Sequence, residues 1–195
     1  MYFEEKDENI INSYKDGNEE AFKMLIDKYT SPLFNFVAHL AGKNDSPDIV
    51  QETFIKAWKN LHKFDSSKAS FKTWIFTIAK NSAMDFLRKK KVFLFSDIEK
   101  TENESSKEKS TSFSENIPDD NMLPDEVMEK MQDLDLLKEK LEKLPLNYKT
   151  VLLLHYQEEM TFEEIGRVLE KPLNTVKNQH YRAIIMLRKM FSDYL

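Results

Sequence analysis

The sequence predicts an all-α protein of two small helical domains joined by a flexible acidic segment. Three observations predict it. Apolar residues recur at spacings of three and four, as helix faces require. Sustained period-two alternation, the mark of a half-buried strand, is absent. Residues 96–126 hold three Lys or Arg against ten Asp or Glu and few large apolar side chains. Such a segment cannot bury enough surface to offset its chain entropy. Pro118 and Pro124 oppose helix, and the span is too long for a loop within a compact domain. The expected organisation is therefore a helical domain over 1–95, a linker over 96–126 and a second helical domain over 127–195.

Composition narrows the function classes. The 195 residues are 41% hydrophobic and 32% charged, a globular balance. No apolar run approaches the length of a membrane span, so membrane insertion is not expected. The acidic start lacks the order of a signal peptide, and a cytoplasmic protein is expected. The absence of cysteine excludes disulfides and thiolate chemistry. With three glycines there is no phosphate-cradling loop. His39, His62, His155 and His180 are scattered without metal spacing. No catalytic constellation stands out, so neither an enzyme nor a cofactor or metal is expected. The net charge of −5 misleads by its sum, because residues 1–95 carry a net +2, 96–126 a net −7 and 127–195 a net of zero.

In the N-terminal flank, Asn18-Glu19-Glu20 leads into Ala21, Met24, Leu25 and Tyr29, and Leu33, Phe34 and Val37 follow Pro32. Ser46-Pro47-Asp48 then reads as N-cap, first helical residue and dipole-matched acid. Its helix buries Val50, Phe54, Ala57 or Trp58, and Leu61. A fourth helical stretch runs from about Phe71 to Lys91 on a stripe of Phe71, Ile75, Ile78, Ser82 and Phe86. In the C-terminal flank, Val127 to Lys143 carries Met131, Leu134, Leu137 and Leu141. Pro145 opens a helix holding Val151, Leu152 and Leu154. Thr161-Phe-Glu-Glu164 spells a capping box. That short helix ends near Leu169, Pro172-Leu173-Asn174 breaks the chain, and a last helix runs from Thr175 to about Phe191.

A short capped helix, a tight break and a basic helix make a helix-turn-helix pattern. Val176, His180, Ala183 and Leu187 fall on one side of the last helix; Lys177, Asn178, Tyr181 and Arg182 fall on the other. Lys171 to Lys189 contains five basic residues and no acidic one. Cations neutralise phosphates, and Asn and Arg also read base edges. On this physics alone a DNA reader and a plain helical bundle fit equally.

The residues from Thr161 to Lys177, Thr-Phe-Glu-Glu-Ile-Gly-Arg-Val-Leu-Glu-Lys-Pro-Leu-Asn-Thr-Val-Lys, resemble the promoter-reading domain of extracytoplasmic-function (ECF) sigma factors of the sigma-70 family. Asp48-Ile-Val-Gln-Glu-Thr-Phe-Ile-Lys-Ala-Trp58 is similar to that family's polymerase-binding helix. Phe71-Lys-Thr-Trp-Ile-Phe-Thr-Ile-Ala-Lys-Asn81 with Asp85-Phe-Leu-Arg-Lys-Lys-Lys91 is similar to its −10-reading helix. The resemblance implies a sigma-2-like bundle and a sigma-4-like domain of four helices. It implies a transcription initiation factor, typically of a stress response, that binds core RNA polymerase through the β′ clamp helices and β flap. Promoter DNA and an anti-sigma factor are the other implied partners.

Site roles follow by motif. Asp48, Gln51, Glu52 and Phe54 would serve polymerase binding, Phe54 as buried support. The −10 set is Lys56, Phe64, Ser66, Ser67, Lys72, Trp74, Phe76, Lys80, Asn81, Arg88 and Lys89, with Thr73 and Thr77 on the same rim. Opening a promoter extrudes bases, which need flat or apolar pockets and hydrogen-bonding groups, while cations hold phosphate. The −35 set is Asn174, Thr175, Lys177, Asn178, Tyr181 and Arg182. Asn174 stands where the family usually has glycine, Gln179 where a basic residue is common, and His180 where an apolar one is common; His180 is expected to be packed rather than a ligand. The acidic linker would thread the polymerase's basic channels. Two other readings share these features: a sigma mimic that only titrates an anti-sigma factor, and a free-standing repressor.

Overall fold

The computed structural model describes residues 6–98 and 134–192, with side chains described over 6–90 and 136–192. The described residues form helices and turns, without strands. The expected linker lies mostly outside them, as does the segment from Val127 to Asp133 of the first C-terminal helix.

The N-terminal half contains α1 (Asp7–Lys15), α2 (Glu19–Ala41), α3 (Ser46–Asn60), a 3-10 turn (Leu61–Lys63) and α4 (Phe71–Ile98). Helix α1 was not anticipated: its Ile10 and Ile11 are adjacent, too short a signal for periodicity, yet both are buried. Helix α2 is continuous through Pro32 rather than broken there. Its buried face is Leu25, Tyr29, Leu33, Phe36 and Val37, whereas Met24 is exposed. Ser46 is not the N-cap of α3. It lies inside the helix, buried, donating its hydroxyl to the Gly42 carbonyl at 2.6 Å, and Asp45 takes the cap position. Of the two alternatives, Ala57 faces the core and Trp58 does not; Trp58 donates its indole N–H to the Tyr14 hydroxyl at 2.7 Å. Ser70 opens α4, its hydroxyl accepting from the Thr73 N–H at 3.2 Å. Helix α4 continues to Ile98, past the expected start of the linker.

The C-terminal half contains α5 (Leu134–Glu142), α6 (Leu146–Leu152), a π-helical turn (Leu153–Gln157), α7 (Phe162–Leu169) and α8 (Leu173–Ser192). The capping box holds: the Glu164 N–H donates to Thr161 Oγ1 at 3.3 Å and the Thr161 N–H to Glu164 Oε2 at 2.9 Å. The break between α7 and α8 falls earlier than expected. Glu170 takes the left-handed conformation (φ 55°, ψ 43°), and Leu173 and Asn174 are already helical. Asn174 therefore does not cap α8. The turn is tight because Lys171 N–H reaches the Gly166 carbonyl at 2.9 Å, and a Cβ on residue 166 would meet the Lys171 carbonyl oxygen at 2.9 Å.

The two halves pack on one another. Their buried apolar residues form one cluster, in which Phe71, Ile75 and Ala79 of α4 join Met160 and, on α7, Ile165 and Val168. A second, smaller cluster of Leu144, Leu152, Ala183 and Leu187 holds α8 onto α6.

Candidate nucleic-acid interface

On α3, Asp48, Gln51 and Glu52 are exposed side by side, and Phe54 is buried beneath them, as expected. Glu52 pairs with Lys56 at 2.8 Å, and Lys56 Nζ also donates to Ser82 Oγ on α4 at 3.0 Å. The exposed face of α3 and helix α4 are thus joined through one ammonium group.

The −10 set divides by depth. Ser66 and Ser67 are exposed in the loop ahead of α4, where Asp65 Oδ1 accepts from the Ser67 N–H at 3.0 Å and hydroxyl at 2.7 Å. Those bonds, with Lys68, hold the Asp65 carboxyl below its ordinary range. Arg88 and Lys89 are exposed, Arg88 bonding Asp85 at 3.0 Å. Phe64 and Phe76 are not surface platforms. Phe64 is buried, with ring centroids 5.6 Å from Phe71 and 5.3 Å from Trp74. Phe76 is fully buried against Phe36 at 5.2 Å. The expectation that Phe76 meets an extruded base is corrected here: it is a core residue. Thr73 is likewise buried and Trp74 half-buried.

The rest of that rim is occupied from within the chain. Lys72 Nζ donates to the Glu158 carbonyl at 2.6 Å and pairs with its carboxylate at 3.2 Å. Lys80 pairs with Glu170 at 3.6 Å, and Asn81 Nδ2 reaches the same carboxylate at 3.5 Å. Glu164 Oε1 accepts from Thr73 Oγ1 at 3.4 Å and Ser70 Oγ at 3.5 Å. Burial pushes Glu164 upward as the largest single effect, but the combined bonds from Thr161, Thr73 and Ser70 hold its carboxyl below the ordinary value. Arg167 Nη1 donates to the Lys68 carbonyl at 3.0 Å. The sequence offered no signal for these long-range partners: Glu164 read only as the capping-box acid, and nothing marked Glu158 or Glu170.

The six residues of the −35 set lie along α8. Asn174, Thr175, Lys177, Tyr181 and Arg182 are exposed along α8, Asn178 is half-buried, and Val176, Ala183 and Leu187 are buried behind them. His180 is half-buried in a ring cluster. It lies 5.1 Å from Phe162 and 5.2 Å from His155 between ring centroids, and 3.0 Å from the Tyr156 hydroxyl. Burial, then the charge of His155, lowers its pKa to about 4. An imidazole held neutral in this way packs as a flat apolar residue would. Among the described residues no helix is long and apolar enough to cross a membrane, and no three His, Cys, Asp or Glu side chains gather as metal ligands.

Comparison with known proteins matches two family models in chain order: sigma-70 region 2 over residues 25–92 and sigma-70 region 4 over residues 134–187. The chain is 33% identical to the ECF RNA polymerase sigma factor SigW of Bacillus subtilis, over 94% of this chain and 95% of that protein. Its fold is similar to CnrH solved with the cytosolic domain of CnrY, at TM-score 0.64 and 21% identity over 97% of this chain and 99% of the other. It is also similar to the sigma factor RpoE solved with the anti-sigma factor NepR from Bartonella quintana, at TM-score 0.63 and 21% identity, covering 88% and 96%.

Proposed function

The chain belongs to the ECF branch of the sigma-70 family, and from that premise we propose that it directs core RNA polymerase to −10 and −35 promoter elements through the residues named above. As an ECF sigma factor it binds core polymerase and promoter DNA and initiates transcription. The observation that carries the finer reading is the exposed row Lys177, Tyr181 and Arg182 on α8, backed by the buried Val176, Ala183 and Leu187. A helix so mounted presents cations and hydrogen-bonding groups to a major groove while its rear face fixes the docking angle.

The residue roles are as follows. Asp48, Gln51 and Glu52 dock on polymerase. Ser66, Ser67, Trp74, Lys80 and Asn81 take the non-template strand of the −10 element, with Lys56 beside them. Arg88 and Lys89 hold phosphate at the edge of the melted region. Phe54, Phe64 and Phe76 support these surfaces from inside. The domain limits are 1–95, carried on to Ile98 by the end of α4, and 127–195, with the acidic segment between them threading polymerase channels. An anti-sigma factor is the partner expected to withhold the protein, which works in the cytoplasm and performs no catalysis of its own. Anisotropy titration of labelled protein with core polymerase tests the docking role. Saturable binding is expected, weakened by Asp48→Arg; binding indifferent to substitutions at Asp48, Gln51 and Glu52 would refute it.

A further inference from the structure

Helix α1 has no part in the roles assigned above, yet it reaches both ends of the loop that carries Ser66 and Ser67. That loop leaves the 3-10 turn at Phe64 and enters α4 at Phe71. The two rings meet edge to face at 5.6 Å, so the loop is pinched at its base. At the Phe64 end, Lys15 Nζ, from the last residue of α1, donates to the Phe64 carbonyl at 3.4 Å. One residue earlier, the Tyr14 hydroxyl accepts from the Trp58 indole at 2.7 Å and ties α1 to the end of α3. At the Phe71 end, the Tyr29 hydroxyl donates to Asp7, the first residue of α1, and the Tyr29 ring lies edge-on to Phe71 at 5.4 Å. Asp7 also pairs with Lys28 at 3.0 Å. The bonds from Asp65 to Ser67 and Lys68 shape the loop from inside but do not fix where it stands. Within the N-terminal half, its position comes from its two ends.

We propose that α1 positions the −10 loop, with Lys15 and Tyr14 as its positioning residues. Lys15 holds the Phe64 carbonyl, and Tyr14 holds α3 where it leads into the turn before Phe64. Together they set where Ser66 and Ser67 stand when an extruded base arrives. This rests on the assignment of that loop to −10 DNA. A loop ordered in advance binds without the entropic cost of ordering at contact. Recognition also needs its groups held to within about 0.5 Å by the residues behind them. A short helix keeps its shape mainly through packing, which Ile10 and Ile11 supply here. Its polar ties to Phe64 and Trp58 therefore serve the neighbouring segment rather than the helix itself.

The test uses the full chain. Lys15→Met with Tyr14→Phe removes both polar ties and leaves Ile10 and Ile11 in place. Lys15→Arg, with Tyr14 retained, is the conservative control. Lys15→Met alone, at an exposed residue, keeps the test valid if the double variant fails to fold. The chain has no native cysteine, so a spin label placed through Ser66→Cys reports motion of the loop. Arg167→Ala is present throughout this first measurement, because Arg167 otherwise holds the loop at the Lys68 carbonyl. The label is expected to move faster in the double variant and to be unaffected by Lys15→Arg. The second measurement is transcription by core polymerase, with each unlabelled protein, from a pool of templates randomised upstream of the start. Base preference at −10, read from the mapped transcripts, is expected to fall severalfold in the double variant, while preference at −35 is kept and Lys15→Arg retains both. Lost charge cannot imitate this result, since contacts to phosphate carry no sequence information. Unchanged label motion, or an unchanged −10 preference, would overturn the proposal. A pool from which the unsubstituted factor selects neither element would instead overturn the functional reading, and the proposal with it.

Discussion

Lys72 Nζ lies 2.6 Å from the carbonyl oxygen of Glu158 and 3.2 Å from its carboxylate, across 86 residues of chain. One side chain expected to meet DNA is thereby fastened to the segment that precedes the helix-turn-helix. The same relation joins the two parts of the molecule whose surfaces were assigned separate tasks.

Thr161 caps α7 in both directions of the capping box. Thr161→Ala is expected to destabilise the C-terminal half by about 1 kcal/mol. Urea unfolding followed by helical circular dichroism measures this. The loss should be smaller for Thr161→Ser, which keeps the hydroxyl.

Phe76 is fully buried against Phe36. Phe76→Ala is expected to cost about 3–5 kcal/mol of stability through lost burial and a residual cavity. A denaturation midpoint unchanged by this substitution would return Phe76 to the surface role that the family motif suggested.

The difference between these two residues shows what the sequence made legible. The capping box lies within four consecutive residues, so its chemistry is visible without tertiary information. The exposed row of α8 was equally readable, because its polar and apolar positions separate cleanly at helical spacing. Phe76 lies outside the single stripe that the three-and-four spacing selected. Helix α4 is buried on a broader arc, with Phe76, Ala79 and Ala83 also at zero exposure. The turn before α8 depended on which residue would take a left-handed backbone. Asn174 was the better intrinsic candidate, but Glu170 takes that conformation while the Lys171 N–H closes on Gly166. The Lys72–Glu158 pair was invisible for a different reason, since nothing local distinguishes a glutamate that meets a lysine 86 positions away.

Acidification should loosen the ring cluster around His180. Its folded pKa, about 4, lies below the ordinary value of 6.5. The unfolded chain therefore takes up a proton between those values that the folded chain refuses, and stability is lost as pH falls through that window. Thermal melting from pH 7.5 to pH 4 should show this decline, and His180→Phe should flatten it. An equal slope in both proteins would assign the pH dependence elsewhere.

Lys177 and Arg182 are exposed on the same side of α8. Replacing either with Ala should weaken binding of duplex promoter DNA by the polymerase-bound factor. If the lost contact is to a phosphate, the salt dependence should fall by about one unit of slope; if it is to a base, discrimination at one position should relax. Electrophoretic mobility shifts at several salt concentrations separate the two outcomes.

Asp48 is exposed on α3, away from the buried Ile49, Val50 and Phe54. Asp48→Arg should lower stability by no more than about 1 kcal/mol, through the lost match to the helix dipole, and weaken association with core polymerase by about tenfold, or 1.4 kcal/mol. A larger loss of stability would mean that the substitution acts through folding rather than docking.

Promoter selection is tested most directly by transcribing fragmented genomic DNA with core polymerase, with and without the protein, and mapping the 5′ ends of the RNA. The account predicts new start sites, dependent on the protein, that share one aligned −10 element and one −35 element upstream, and that disappear with Asp48→Arg. The same 5′ ends with and without the protein would contradict it.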